Sequence, residues 1–545
     1  MQILTENLKF LLSEVENQIK LTKEILSDST KKDNFEKIES KDDYIDNLKT
    51  VLENTCFSRI HGQKHYDEKT INKIRAAHVI AVNLERIADF CVNIANQTQY
   101  LSDHFFIHHF QYLEMIEEIE DTLSKILPAF EKANMAQALD ICRSEFNLDI
   151  MYEKNFRQIM SELKTGQNME NLITVIFIFR YLERIGDSLL NIGESLLFAI
   201  TGDRIKIRQF DALQQTLTES GFKGNMLDIN WRPIWGSRSG CHISKIDYKE
   251  SPKDPRSYSI FKEGVTYKIK KEKETIEKWE KIMPGIAPRI FGFNEKPDTS
   301  SMLIEFLPGC TLEEVILNEC DPTFEEVFFI LQEVLAEIWD KTSVAGNFKI
   351  DYMEQLKSRL PSIFRIQPKF IRNITQVGYT SIQSSNELID ECLKIEKKIF
   401  APINIFIHGD FNVNNIVYNK EKNKINFIDL YRSNQFDYIQ DASVFLVSNF
   451  RLPVFEKRLR DRLNSLIKEF YEFFKEFSAD KKDTTFEIRM ALALARSFFT
   501  STRFELNYPF AKNMVMRSHY LMEKIVAFKG ESFDSFKLPE SILYY

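Results

Sequence analysis

Glycine and proline are both scarce in this chain, at 17 and 15 of its 545 residues. With so few helix breakers and turn formers, long helices joined by short connections are expected. Cysteine is little used: the seven are dispersed, odd in number and include no Cys-x-x-Cys pair. That argues against a disulfide framework or a zinc site and fits thiols kept reduced. Long hydrophobic runs are missing too. The longest, Leu172 to Phe179, falls far short of the roughly 20 residues that a membrane span needs. The opening Met1-Gln2-Ile3-Leu4-Thr5-Glu6-Asn7 has neither the basic start nor the apolar block of a signal peptide, so a cytoplasmic protein that does not span a membrane is expected. Basic charge is not in excess either. A formal net charge of −8 offers no electrostatic footprint for nucleic acid.

What is present is a soluble globular composition, 43% hydrophobic and 28% charged, with 45 Phe to fill the contacts between helices. At roughly 150 residues per domain the length implies several structural units. The first two hundred residues repeat. Leu84-Glu85-Arg86-Ile87-Ala88-Asp89 recurs as Leu182-Glu183-Arg184-Ile185-Gly186-Asp187, and Asn93-Ile94-Ala95-Asn96 recurs in the same register as Asn191-Ile192-Gly193-Glu194. Both copies sit in helix-period stretches, about 67–102 and 168–201.

Helix geometry gives this spacing a chemical meaning. Glu183, Asp187 and Asn191 stack on one face, and Glu194 at the eleventh position returns to the same stripe. The first copy presents Glu85, Asp89 and Asn93, with Asn96 where the second has Glu194. A second acidic pair precedes each copy, Asp42 with Asp46 and Glu145 with Asp149, again four apart on predicted helices. Two antiparallel helices could thus set carboxylates across a seam, an arrangement that helical bundles use to hold metals. A solvated acidic face is the plain alternative. The duplicated pattern resembles the PhoU-like phosphate-uptake regulators, and Phe198-Ala199-Ile200-Thr201-Gly202-Asp203 matches the usual end of that domain. The resemblance covers about residues 1–205. It implies two three-helix bundles (about 1–103 and 104–205) with divalent or ferric ions on the acidic faces; because Asn96 leaves the first copy fewer anionic oxygens, the second set is expected to bind more tightly.

A different chemistry is written further on. In His408-Gly409-Asp410-Phe411-Asn412-Val413-Asn414-Asn415 and the following Ile425-Asn426-Phe427-Ile428-Asp429, polar residues fall at the ends of two short predicted strands. Phosphoryl transfer needs a carboxylate to orient the attacking hydroxyl and oxygen ligands for Mg²⁺, which Asp410, Asn415 and Asp429 could supply. This stretch resembles the catalytic loop and metal-binding Asp of the aminoglycoside phosphotransferase and choline kinase family. That family continues with Gly-Asp-Pro-x-x-Asp-Leu-Ala, where this chain has Phe436-Asp437-Tyr438-Ile439-Gln440-Asp441-Ala442-Ser443. Both acids match, while Phe436 and Tyr438 replace the usual Gly and Pro.

The resemblance orders the rest of the chain. A polar segment, 206–230, reads as a linker. Three strands follow, with the Gly-flanked Ser237-Arg238-Ser239 turn between the first two placed to lay backbone N–H groups over phosphates. Lys262 stands where a kinase N-lobe (231–308) carries the lysine for the α- and β-phosphates, and either Glu272 or Glu274 on the next helix could be its partner. Glu305 and Leu307 lie where the lobes would join, their backbone groups facing adenine. Residues 309–545 would form the helical C-lobe, with 323–400 and, beyond Tyr438, stretches that include about 455–478 and 485–528 read as helical. The fold expected is therefore an all-α pair of repeats followed by an α+β, two-lobed kinase-like domain. Its ligands are ATP, Mg²⁺ and a small hydroxyl compound. On the regulatory side, a phosphate transporter or a sensor kinase is the expected partner, and a homodimer is compatible with the sequence. The alternative is a nucleotide-binding regulator without turnover that docks on such a partner.

Overall fold

The computed structural model describes residues 2–28, 32–61, 66–202, 206–222, 229–234, 241–248, 258–318, 321–370, 375–377, 379–530 and 532–545. These form two compact units, Met1–Glu263 and Gly264–Tyr545.

The first unit opens with α1 (Gln2–Ser27), α2 (Lys32–His61) and α3 (Glu68–Thr98), then repeats as α4 (Tyr112–Lys132), α5 (Met135–Leu163) and α6 (Met169–Thr201). Each helix is built on an apolar stripe at helical spacing; α1, for instance, buries Leu4, Leu8, Leu11, Leu12, Val15 and Ile19. The ends are signalled locally. Asp67 caps α3 by accepting the Thr70 N–H at 3.1 Å, and Gly202 closes α6 with a φ of 82°. Helices α3 and α6 pack together at the junction of the repeats, where Asn191 Nδ2 donates to Asn83 Oδ1 at 3.2 Å. Within the second repeat α5 and α6 approach closely. A Cβ on Gly193 would stand 2.5 Å from Cys142 Sγ and 2.9 Å from its backbone nitrogen, so only glycine fits. The segment read as a linker contains a further helix, α7 (Ile207–Glu219). An antiparallel meander follows: β1 (Ile229–Pro233), β2 (His242–Tyr248) and β3 (Tyr258–Val265), with Ile229 opposite Tyr248 and His242 opposite Glu263.

The second unit is α+β. It begins with α8 (Thr266–Ile282) and the antiparallel pair β4 (Ile290–Asn294) and β5 (Thr299–Glu305). Next come β6 (Cys310–Thr311), α9 (Leu312–Asn318), α10 (Asp321–Thr342), β7 (Val344–Lys349) and α11 (Tyr352–Ile366). The short pair β8 (Thr375–Val377) and β9 (Thr380–Ile382) and helix α12 (Ser385–Glu396) precede the central strands. Those strands are β10 (Phe400–Ile407), β11 (Ile416–Asn419), β12 (Lys424–Phe427) and β13 (Asn434–Phe436). They make two small antiparallel sheets, ordered β13-β10-β7 and β12-β11-β6, so the His408–Asn415 loop passes from one sheet to the other. Four helices complete the unit: α13 (Ile439–Phe450), α14 (Lys457–Asp480), α15 (Phe486–Ser501) and α16 (Tyr508–Ala527).

Two readings of this half are corrected. Strands β7, β8 and β9 interrupt the 323–400 stretch expected to be helical. Strand β7 is an exposed edge strand whose residues lack the alternation that betrays a half-buried one. The 485–528 stretch is two helices, broken where Asn507 caps α16 by accepting the Phe510 N–H and Pro509 occupies its first turn.

The helical core is aromatic: Trp339 packs against Tyr438, Phe474 and Phe477, and Phe411 against Phe427 and Phe445. A charged network lies inside it. Arg489, fully buried on α15, pairs with Asp437 and Asp483, which also accept the Tyr352 hydroxyl at 2.8 Å and the Tyr438 hydroxyl at 2.7 Å. Among the described residues no helix is long and apolar enough to cross a membrane. Removing the guanidinium strands two buried carboxylates. Arg489→Met is expected to destabilise the second unit by about 3–5 kcal/mol, visible in urea unfolding followed by fluorescence. An unchanged midpoint would show that the network is dispensable.

Candidate functional site

Strand β10 delivers the loop. Its last apolar residues are buried, and the chain leaves it through His408 and then Gly409, whose φ is 81°. A Cβ at Gly409 would meet the Arg432 carbonyl oxygen at 2.4 Å, so glycine is required here. His408 is buried and its ring spans the loop: Nε2 lies 3.0 Å from the Ile428 carbonyl, and Nδ1 accepts the Asp410 N–H at 3.3 Å. Those partners assign the ring proton to Nε2, and burial pushes the imidazole pKa down, keeping it neutral. From α13, Asp441 accepts the consecutive N–H groups of His408 and Gly409 at 2.6 and 2.8 Å. Burial pushes its carboxyl up to about 7 against the pull of those two hydrogen bonds.

Asp410 is held on both sides, with Oδ2 accepting from Arg432 Nη1 at 2.8 Å and Oδ1 from Asn412 Nδ2 at 3.2 Å. The Asn415 amide nitrogen donates to the Asp410 carbonyl at 2.9 Å. Because a carbonyl can only accept, the amide orientation is fixed and its oxygen is the end left for a cation. Ile428 N–H donates to the Asn415 carbonyl at 3.0 Å, which brings Asp429 to within one residue of the Asn415 backbone. Asp429 itself is left-handed, with φ 60° and ψ 54°, at the start of the turn Leu430–Arg432. A carboxylate and an amide oxygen are hard donors suited to Mg²⁺, which commonly takes only one or two protein ligands beside phosphate oxygens. Among the described residues no group of three or more His, Cys, Asp or Glu is set to hold a metal alone.

Lys262 on β3 is buried, only 3% exposed. Glu272 is buried on α8 whereas Glu274 is exposed, so of the two it is Glu272 that burial obliges to have a partner. The Glu305 carboxylate takes Arg289 at 3.2 Å and its N–H is spent on the Arg289 carbonyl at 2.8 Å. Leu307 follows β5, half-buried. Ser237, Arg238 and Ser239 lie outside the described residues.

In the second helical repeat Glu145, Asp149 and Glu183 are each pushed up by burial, with Asp187 acting on all three. Glu145 Oε2 and Glu183 Oε2 are buried without a hydrogen bond, while Glu183 Oε1 accepts from Arg180 at 2.6 Å. Glu194 goes elsewhere: it accepts the Ile207 N–H at the start of α7, near Lys206. The first repeat is filled differently. Lys49 Nζ lies 2.9 Å from Asp46 and 2.8 Å from Glu85. Burial, then Asp89 and Glu85, push Asp42 up to about 6.

Comparison with known proteins matches both halves. Residues 8–98 and 112–196 each match the PhoU domain, and residues 326–480 match the Ecdysteroid kinase-like family. The chain joins two PhoU repeats to a kinase-like domain. Its PhoU region is 28% identical over 180 residues to the phosphate-specific transport system accessory protein PhoU homolog of Clostridium acetobutylicum, covering 32% of this chain and 80% of that protein. The homolog of Zymomonas mobilis is 29% identical over 173 residues, covering 31% and 73%. Among solved structures, choline kinase from Cryptosporidium parvum aligns at 15% identity and a TM-score of 0.33, covering 56% of this chain and 92% of that one.

Sequence reasoning did not find Arg432 on Asp410, Arg489 on Asp437, or Lys49 within the first PhoU repeat. The only signal for Arg432 is its place three residues after Asp429. In the PhoU region, burial, then Asp89 and Glu85, push the Asp42 carboxyl up to about 6, above its ordinary range, so the folded state binds the extra proton. Stability contributed by this group therefore falls as pH rises from about 4 to about 6. The urea midpoint of the helical unit should drop over that range in the wild type and drop less in Asp42→Asn. Equal slopes would reject the assignment.

Proposed function

We propose that the chain is an ATP- and Mg²⁺-dependent phosphotransferase acting on a hydroxyl of a small molecule, with a PhoU region that binds further metal ions and ties the activity to phosphate status. One observation carries the proposal. The loop bearing Asp410 and Asn415 is fixed from below by Asp441 and joined to Asp429 through Ile428, so the three polar groups that phosphoryl transfer needs share one rigid frame. Asp410 would orient the acceptor hydroxyl and take its proton as the new O–P bond forms at the γ-phosphorus and the bond to the ADP oxygen breaks. Asn415 and Asp429 would hold Mg²⁺, which when bound neutralises charge on the transferring phosphate. Lys262, the backbone of Glu305 and Leu307, and the Ser237-Arg238-Ser239 turn are assigned to the nucleotide.

A second reading is a nucleotide-binding regulator without turnover that docks on a phosphate transporter or sensor kinase. One contact favours it: the Arg432 guanidinium already occupies Asp410 Oδ2 at 2.8 Å, an oxygen that the acceptor hydroxyl would otherwise use. Turnover separates the two. ADP release with a pooled set of hydroxyl metabolites should require Mg²⁺ or Mn²⁺, and Asp410→Ala should abolish it while nucleotide binding persists. Wild-type turnover in Asp410→Ala would remove the catalytic assignment. Absence of any metal-dependent turnover in the native protein would favour the regulator. Asp429→Ala should weaken nucleotide binding measured with Mg²⁺ by calorimetry, and an unchanged affinity would take Asp429 out of the metal site.

In the PhoU region we assign the better metal face to the second repeat, because the charges of Glu145, Asp149, Glu183 and Asp187 bear on one another there, though among the described residues they are not grouped around an ion site, while Lys49 pairs with Asp46 and Glu85 in the first. Elemental analysis of the full chain should therefore show a larger metal loss in Glu183→Gln with Asp187→Asn than in Glu85→Gln with Asp89→Asn. Equal losses, or no bound metal in the native protein, would reject this ordering.

A further inference from the structure

The ground around Asp410 is unusually cationic for a site built on a carboxylate. Four arginines from separate elements gather there: Arg359 on α11, Arg432 after β12, Arg496 on α15 and Arg503 in the turn that follows it. Arg359 feels Arg432 and Arg503 as like charges and Asp410 as an opposite one, and Arg496 feels Arg359 and Asp410 in the same way.

The carboxylates that could neutralise them are committed elsewhere. Asp437 and Asp483 serve Arg489, Asp441 serves the His408 and Gly409 N–H groups, and Glu396 accepts the Met353 N–H at 3.0 Å. Asp351 accepts from Gln355 at 2.7 Å. Among the described residues Asp429 acts on Arg432 and Asp351 on Arg496 from a distance, and the carboxylate in direct contact with the cluster is Asp410, held by Arg432.

Arg496 shows the imbalance most clearly. It is 3% exposed, its one hydrogen bond reaches Ser443 Oγ at 3.4 Å, and its Nε has none; otherwise it lies over the Tyr352 ring at 5.5 Å. A guanidinium carries five donors, and leaving a buried one without an anion is costly. Burial and the neighbouring Arg359 pull its pKa down to about 10, as expected for a charge waiting for a counterion. Arg359, half-buried two helical turns into α11, has no carboxylate partner among the described residues.

We propose that the acceptor phosphorylated at this site carries an oxyanion, a carboxylate or a phosphate monoester, that is held by Arg359 and Arg496 while its hydroxyl meets Asp410. The proposal rests on the phosphotransferase reading and deepens it by naming the substrate class. Planar guanidinium forks match both oxyanions in geometry as well as charge. Neutral alcohols would leave the cluster unpaired, and a cationic alcohol such as choline or ethanolamine would be repelled by it.

The test uses the full chain with Mg²⁺ and ATP labelled at the γ-phosphate. A metabolite extract is divided by ion exchange into anionic, neutral and cationic fractions before the reaction. Label should enter the anionic fraction, and treating that fraction beforehand with a phosphomonoesterase distinguishes a phosphate monoester acceptor from a carboxylate. Label entering only the neutral or cationic fraction would overturn the proposal while leaving the phosphotransferase reading intact. Label in no fraction would overturn both. With the labelled acceptor in hand, Arg359→Gln should raise its KM by about tenfold or more and Arg359→Lys by less, the loss expected for one charged hydrogen bond. Arg359 is half-buried, so this variant tests the contact even if Arg496→Lys fails to fold. An unchanged KM in Arg359→Gln would remove the arginine cluster from acceptor binding.

Discussion

Two consecutive backbone N–H groups on one buried carboxylate hold the second unit's central loop in place. His408 and Gly409 leave β10 with no further strand to pair with, and a buried donor without an acceptor costs about 1–3 kcal/mol. Asp441 meets both. Because Asp441 sits in the first turn of α13, the loop is fixed to that helix. The residue that enters the same turn, Asp437, is fixed in its turn to α15 through Arg489. Loop, α13 and α15 are thus one polar frame inside an aromatic core. The departures from the family pattern at Phe436 and Tyr438 are absorbed within it: Tyr438 packs on Trp339 and donates to Asp483.

The two units handle charge in opposite ways. On the PhoU helices like-charged acids are brought together, and the two repeats relieve the repulsion differently. In the first, an ammonium group is supplied by Lys49, a residue of α2 itself. In the second, Arg180 reaches only one oxygen of Glu183 and the remaining acids are left raised and close. Around Asp410 the surplus is positive, and among the described residues Arg496 has one long hydrogen bond, to Ser443, and no ion pair.

Much of this was legible because it is local. The repeat is a period in the sequence, and the helices it predicted at about 67–102 and 168–201 are α3 and α6. The loop from His408 to Asn415 and the strands flanking it are likewise contiguous. What stayed hidden depends on residues far apart in the chain: Lys49 and Glu85, Arg432 and Asp410, Arg489 and Asp437 meet only after helices pack. Glu194 shows the limit of a helical wheel. It shares an angular position with Glu183, but eleven residues at 1.5 Å each put it about 16 Å along the axis, and the start of α7 claims it. Strand β7 was missed because an exposed edge carries no alternating pattern.

Asp429 occupies a backbone conformation that an L-residue adopts only at a cost, with φ at 60°. Asp tolerates it better than most side chains, yet glycine would adopt it without strain. A glycine at this position would therefore make the fold easier to form and delete the carboxylate. Selection for thermal stability alone would drift toward that exchange, and stability would trade against the Mg²⁺-holding role proposed for Asp429 at a single backbone torsion.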